Sequence, residues 1–471
     1  MESFEDFVDR RRELRALEAF WNSRSPQMIP VTGRRRIGKT RLLERFAEGK
    51  RIVYYRCKLL NTSEQLPMLG QALAALADDP FITAQQPASW PAIFALVERL
   101  AKPERLLLVL DELPYWVAKD PSLPSTIQNW WDERGRYLNL MFVICGSAVA
   151  MMERLLRGEA PLAGCTTGRM ALRPLDFQAS AQLLGFEKPV DNLTAYCILG
   201  GVPLYQTFFD PKRTIKQNIL EQIATPTSRL YVEPQALFAA HHLAFEGAQA
   251  LDVLRAIARG EHQWSKIADA AKIVQNNIGR VMEPLLGDMA LVERVLPVTE
   301  QHATRTYFTQ YHLTDNFLRF WFRFIEPNQG HIEFGDNERV VDQIVNELPT
   351  ELGLPFEALC RDWVRLASAE GRLRHRVGAV GTWWTANHQL DVVGLGDDRA
   401  VAVVGECRFR NEVFSQADLL RYLGHVSALG RAAIPRPDMQ HLLFSKRGFS
   451  ADVQAWAAEN GALLLQPPDL F

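Results

Sequence analysis

Residues 31–43 read VTGRRRIGKTRLL, and the reading of this stretch decides the fold. Gly33 to Thr40, GRRRIGKT, fits the spacing G-x-x-x-x-G-K-[ST]. Two glycines let a backbone curl until successive N–H groups point at one anion. The segment that follows, TRLLERFAEG, has helical periodicity, and its N-terminus adds the positive end of a helix dipole. At this spacing Lys39 reaches β- and γ-phosphates and Thr40 offers a hydroxyl to Mg2+. Gly33, Arg34, Arg35, Arg36, Ile37, Gly38, Lys39, Thr40 and Arg41 therefore form the candidate nucleotide-binding loop. A chance match in a glycine-containing turn is the bland alternative; the apolar run QMIPVT before the loop and the helix after it argue against that. Pro30 in that run cannot donate to a sheet ladder, so a local irregularity is expected there.

A nucleotide site needs a second half, an apolar strand ending in acid. RLLLVLDELPYW (105–116) supplies it, about seventy residues on. Five apolar residues run into Asp111 and Glu112, a pattern consistent with a strand buried on both faces. Asp111 would hold Mg2+ and Glu112 would polarise the attacking water as general base. The next apolar run, LNLMFVICGS, ends in Ser147. That serine either lies beside a γ-phosphate or caps the following helix. Gln128, in STIQNWWDE, either orients water or sits on a helix surface.

The bulk numbers agree with a multidomain globular protein. The chain has 471 residues, a net charge of −2 and 47% hydrophobic residues, enough for several cores. The balanced charge excludes a histone-like polycation but not a local basic face. None of the six cysteines sits in a C-x-x-C pair, so neither a zinc site nor a disulfide framework is indicated, and a reducing cytoplasmic location is expected. The opening MESFEDFVDRRRELRALEAF has no signal-peptide core, and the longest apolar stretch, 140–152, is too short for a bilayer span, so no membrane partner is expected.

FVDRRRELRALEAF, VTGRRRIGKTRLL, LVLDELPYW, VICGSAVAMM, LGGVPLY (199–205) and FLRFWFRFIEPN (317–328) together resemble the archaeal-type P-loop ATPases found in archaea and bacteria, relatives of the STAND-like and AAA-related NTPases. The resemblance covers essentially the whole chain and implies ATP and Mg2+ as cofactors. It implies that Asp9 and Arg10 wall the adenine, and that Pro203, in a helical lid, packs on it; the alternative for Gly-Val-Pro is a plain break between helices. Family members tend to carry an arginine soon after a segment like APLAG; Cys165 stands there instead, and Arg169 is a substitute candidate for an arginine finger.

Further along, QALDVLRAIARG, SKIADAAK with Ser265 as cap, VQNNIGRVMEPLL, and two strands flanking the turn TEQHA read as a winged helix-turn-helix. Gln275, Asn276, Asn277 and Arg280 could meet base edges, with Lys272 on phosphate, or the unit could be pure scaffold. The aromatic run Phe317, Phe320, Trp321, Phe322 and Phe324 reads as core.

From about 336 the order helix, three strands, helix, strand resembles the PD-(D/E)XK nuclease fold, which family members often carry as a C-terminal fusion. Asp391 and Glu406 fit its acidic pair, Glu357 could complete a metal site, and Arg408 replaces the usual lysine. Arginine stays charged near neutral pH, so Arg408 could stabilise charge but not act as a base. The alternative is a structural ion pair between these acids and Arg408.

The expected fold class is α/β. A P-loop NTPase (AAA-like) parallel sheet (1–170) is followed by a helical lid (171–240), a winged helix and aromatic linker (241–330), and a restriction-endonuclease-like α/β domain (331–471). The expected function is ATP hydrolysis coupled to conformational change, acting on double-stranded DNA. The alternative is a nucleotide-gated switch engaging a protein partner or a second copy, with an inactive nuclease-like domain.

Overall fold

A computed structural model describes residues 8–77, 87–102, 104–240, 248–287, 289–300 and 308–471. The chain divides near residue 175 into two compact units, one formed by Asp9–Pro174, the other by Leu175–Leu286 with Ala290–Phe471.

The first unit is built on a parallel sheet of β1 (Gln27–Thr32), β2 (Ile52–Arg56), β3 (Leu106–Asp111), β4 (Leu140–Gly146) and β5 (Met170–Ala171), in the order β2-β3-β4-β1-β5. Strands β3 and β4 are buried at every position, as helices on both faces require, and their sequences are accordingly near-continuous apolar runs. The helices are α1 (Arg11–Trp21), α2 (Lys39–Ala47), α3 (Thr62–Ala77), α4 (Trp90–Leu100), α5 (Leu113–Val117), α6 (Leu123–Glu133) and α7 (Val149–Leu156). One core joins Leu69, Leu73, Val97, Leu108, Trp116 and Phe142. Aromatic rings lock its helices, with Trp90 5.0 Å from Trp116 and Phe94 stacked 4.5 Å over Trp130. The ring of Trp116 fixes the short helix α5 directly after the Asp111-Glu112 pair.

Pro30 causes no irregularity: the β1–β4 register runs unbroken from Gln27 to Thr32. The reason lies in phase. The Met28 carbonyl accepts from Thr167 N–H and the Thr32 carbonyl from Leu172 N–H, both on the β5 side. Pro30, two residues from each, turns its ring nitrogen to that side, where β5 pairs only with Val31 and Thr32.

The second unit opens with helices α8 (Phe177–Leu184), α9 (Pro189–Leu199), α10 (Pro203–Gln206), α11 (Ile215–Asn218) and α12 (Arg229–Ala240). Between α9 and α10, Gly200 takes φ 65° and the Gly201 carbonyl accepts from Leu175 N–H at 2.7 Å, so close that a side chain at 201 would collide with the Leu175 backbone. Helices α13 (Ala248–Ala258), α14 (Trp264–Ala270) and α15 (Ile278–Leu286) precede an antiparallel pair, β6 (Val292–Val295) and β7 (Gln310–Leu313). Gln263 rather than Ser265 stands at the N-cap of α14, and Ser265 lies inside the helix. Helix α15 starts four residues later than its apolar pattern suggests, so Gln275, Asn276 and Asn277 occupy the turn before it and only Arg280 lies on it. Residues 301–303 of the TEQHA turn and 304–307 of the following strand segment lie outside the described residues.

α16 (Asn316–Phe320) continues as a π-turn over Trp321–Ile325, and Phe317, Phe320, Trp321, Phe322 and Phe324 are all buried, the core role expected of them. After α17 (Gln329–Glu333) and α18 (Asn337–Glu351), α19 (Gly353–Ala369) leads into a mixed sheet of β8 (Ala379–Trp384), β9 (Gln389–Leu395), β10 (Val401–Arg408), β11 (Pro435–Ser445) and β12 (Leu463–Leu465). Its order is β12-β11-β10-β9-β8, with the β8–β9 and β9–β10 pairs antiparallel and the others parallel. α20 (Gln416–Ala432) and α21 (Ala451–Asn460) complete it.

Candidate functional site

The loop after β1 does what its composition allows. Gly33 has φ 151° and its missing side chain leaves room against the Leu172 carbonyl, 2.7 Å from where a Cβ would sit. Gly38, at φ 92°, is the N-cap of α2 and faces open space. Arg36 also holds positive φ, at 68°, a strained value for a side-chain-bearing residue. Arg34, Arg35, Thr40 and Arg41 are half-buried around the loop and Ile37 is buried beneath it.

Lys39 is buried and folds back on the loop, its Nζ donating to the carbonyls of Gly33 at 2.7 Å and Arg34 at 2.9 Å. Burial lowers its pKa, and the Asp111 and Glu112 carboxylates offset only part of that. Arg10 is buried too, at a left-handed N-cap position of α1, and its guanidinium donates to the carbonyls of Ile37 at 3.1 Å and Arg173 at 2.7 Å. It clamps the phosphate-loop backbone to the segment after β5. Asp9 beside it is exposed.

Strand order brings the acids to the loop. Asp111 is 1% exposed, yet it is a carboxylate that must find partners. All of them converge on one oxygen. Oδ2 accepts from Thr40 Oγ1 at 3.1 Å and from the Tyr54 hydroxyl at 2.7 Å, and Arg56 Nε lies 3.6 Å away. Oδ1 is buried and has no hydrogen-bond partner among the described residues. An acceptor left over beside a Thr hydroxyl is the donor set a Mg2+ ion takes, with carboxylate and hydroxyl oxygens and the remaining positions filled by water and phosphate. Glu112, at φ 56°, turns off the strand, and its Oε2 accepts from both the N–H and the hydroxyl of Ser147, each at 2.9 Å. Ser147 therefore does not cap α7, whose N-cap is Ala148; it binds the acid expected to activate water.

Three further candidates lie on other elements. Gln128 is half-buried on α6. Arg169 is exposed and donates to the Leu156 carbonyl at the end of α7. Pro203 begins α10, in the other compact unit.

Sequence reasoning missed Tyr54, Arg56 and Tyr115, whose hydroxyl accepts from Arg35 at 2.9 Å. Nothing in the segment IVYYR marks Tyr54 as a partner of Asp111. That follows only from the pairing of β2 with β3, in which Arg56 is opposite Asp111 and Tyr54 lies two residues back on the same face.

In the second unit, Asp391 on β9 and Glu406 on β10 are both buried, and Glu357 projects from α19. Asp391 Oδ2 accepts from the Cys407 N–H at 3.0 Å and Oδ1 from Gln389 Nε2 at 3.1 Å. Arg408 lies 2.8 Å from Glu406 Oε1 and 3.4 Å from Asp418, while Glu357 is 3.8 Å from Arg361. Burial raises the pKa of all three carboxyls; repulsion from Asp391 adds to it at Glu357 and at Glu406, which reaches about 8. Among the described residues, no group of three or more His, Cys, Asp or Glu side chains is arranged to hold a metal ion. Glu357, Asp391 and Glu406 lie close enough to interact electrostatically, and Glu406 Oε2 is buried with no hydrogen-bond partner among the described residues. The guanidinium of Arg408 supplies the positive charge at Glu406, and backbone and amide donors satisfy Asp391.

Residues 7–205 match the family model described as an ATPase domain predominantly from Archaea, and residues 321–419 match one described as archaeal and bacterial proteins of unknown function. An uncharacterized protein of Methanocaldococcus jannaschii is 25% identical over 410 residues, spanning 86% of this chain and 88% of that protein. An uncharacterized ATP-binding protein of the same organism is 48% identical over 46 residues, 10% of this chain and 78% of that protein. Among solved structures, a Walker-type ATPase of Pyrococcus abyssi superposes with TM-score 0.54 at 21% identity over 68% of this chain and 97% of that one, a likeness of fold. No described helix is long and apolar enough to cross a membrane. The loop with its Lys39, the strand-borne acids beside it and the match of residues 7–205 to an ATPase-domain model together make this protein an ATPase.

Proposed function

We propose that the protein hydrolyses Mg-ATP at the Gly33–Thr40 loop and that turnover drives a conformational change passed to the unit containing residues 175–471. The reading rests above all on the Thr40–Asp111 hydrogen bond of 3.1 Å beside the unpartnered Asp111 Oδ1. In it, the loop amides and the N-terminus of α2 bind the phosphates. Lys39 exchanges the Gly33 and Arg34 carbonyls for β/γ-phosphate oxygens. Thr40 and Asp111 hold Mg2+, which when bound neutralises charge on the phosphate oxygens. Glu112 takes the proton of the attacking water. To do so it must release the two donors of Ser147, so basal turnover is expected to be slow. Ser147 then has a hydroxyl to offer the terminal phosphate. Arg10 acts by bracing the loop, Asp9 contributes to the adenine wall, and Arg169 is the candidate for charge stabilisation.

For the second unit we read α13–α15 with β6 and β7 as a winged helix, and the mixed sheet with α19 and α20 as a PD-(D/E)XK-like domain. The contact of 2.8 Å between Arg408 and Glu406 favours a domain that binds or regulates over one that cuts. Contact with double-stranded DNA through Lys272, the 275–277 turn and Arg280 remains part of this proposal.

ATP turnover of the full chain, measured with and without duplex DNA, is the test. Glu112→Gln should lower turnover by roughly 100-fold or more while nucleotide binding persists, since a general base contributes ~10²–10⁴-fold. Undiminished turnover in that variant would remove Glu112 from its role. Turnover and binding both indifferent to DNA at low salt would leave the nucleotide-gated protein switch as the reading.

A further inference from the structure

The donors around Asp111 are asymmetric. Three side chains address Oδ2, the Cys145 thiol lies beside the same carboxylate, and Oδ1 has no hydrogen-bond partner among the described residues. The shortest of these contacts, 2.7 Å, comes from the Tyr54 hydroxyl, a residue of a neighbouring strand with no place in the phosphate loop. The sheet makes the contact specific. Along β2 the side chains alternate, so Val53 and Tyr55 turn into the core while Tyr54 and Arg56 share the face of Asp111. Tyr55 packs 5.7 Å from Trp116, and the Cys57 N–H donates to the Asp111 carbonyl at 2.7 Å, so the strand end carrying Tyr54 is pinned to the end of β3.

We propose that Tyr54 is a positioning residue for the ATPase metal site: its hydroxyl holds Asp111 Oδ2 so that Oδ1 is the oxygen presented to a divalent cation. The inference rests on Asp111 being the metal-binding acid, as read above. The physical case is that a carboxylate with one oxygen engaged by a fixed donor has lost the rotation that would let it chelate, tilt or turn away. A phenol does this without adding charge, so the anion is kept whole for the cation. Arg56 cannot substitute. It is 64% exposed and 3.6 Å away, and its charge would compete with the metal rather than support it. Thr40 cannot substitute either, because in the nucleotide-bound state its hydroxyl is the group that turns to the metal. Tyr54 is then the donor left on Oδ2.

Groups that orient a metal ligand from behind typically change metal affinity or activity by ~10–100-fold when removed. The test uses the full-length protein saturated with a non-hydrolysable ATP analogue and follows Mn2+ binding by its electron paramagnetic resonance signal. Mg2+ dependence of ATP turnover is measured in parallel. Tyr54→Phe should raise the Mn2+ dissociation constant and the half-saturating Mg2+ concentration by roughly tenfold, while metal-free binding of the analogue and the melting temperature stay close to wild type. An unchanged Mn2+ affinity in Tyr54→Phe overturns the inference. So does a fall in kcat at saturating metal with no shift in metal dependence, since that is what a merely structural tyrosine produces. Asp111→Asn separates the two layers. If it leaves Mn2+ affinity intact, the metal-site reading itself is wrong; if it abolishes binding while Tyr54→Phe changes nothing, only the role of Tyr54 fails.

Discussion

Single residues in this protein carry buried charge, and each is handled differently. Lys39 is desolvated against carbonyls that a phosphate can replace, so its burial is held ready for an anion. Asp111 keeps one oxygen satisfied and one without a hydrogen-bond partner among the described residues. Glu406 takes a third course. Burial and the neighbouring Asp391 push its pKa from the ordinary glutamate range up to about 8, although Arg408 pulls the other way. The folded protein then holds a proton that the unfolded chain has already released. The stabilisation tied to that proton is complete below the unfolded glutamate pKa and is lost as pH rises toward about 8. Thermal melting between those limits should therefore show a falling Tm with rising pH, and Glu406→Gln, which cannot titrate, should flatten the fall. A slope identical in wild type and variant would mean Glu406 is ionised throughout.

At the scale of elements, turns here are set by backbone contacts as much as by propensity. Gly200 and Gly201 look like a generic helix break in LGGVPLY, and the break is real, between α9 and α10. What the pattern hides is that Gly201 lies against the backbone of Leu175, with its carbonyl bonded to the Leu175 N–H. Gly201→Ala should destabilise the second unit by about 1–3 kcal/mol, the usual range for overpacking, read as a lowered urea midpoint at unchanged slope. A midpoint equal to wild type would show that α10 can shift without cost. Pro30 teaches the converse: a residue unfit for a central strand is tolerated because its missing donor faces the short side of β5. Alternation within one segment gives that face, but which neighbour lies on it is a fact of the whole sheet.

For the molecule as a whole, ligand binding should act on the unit that contains the loop. A non-hydrolysable ATP analogue with Mg2+ at a hundred times its Kd should add about 2.7 kcal/mol to the stability of that unit by mass action. Calorimetry would show this as an upward shift of one transition, and Lys39→Ala should lose most of it. A shift of equal size in the variant would place the nucleotide elsewhere. The sequence by itself determined the phosphate loop, the acid pair after an apolar strand, the alternation of helices and strands, and the buried aromatic run, because each is written in short-range spacing that local geometry reads directly. Only the tertiary structure decided that Tyr54 and Thr40 share one oxygen of Asp111, that Ser147 holds Glu112, that Arg10 braces Ile37, and that Arg408 lies against Glu406. The first three depend on strand order and on how distant segments converge, and the last on a balance between burial and charge at one spot. Neither quantity is a property of any stretch of chain taken alone.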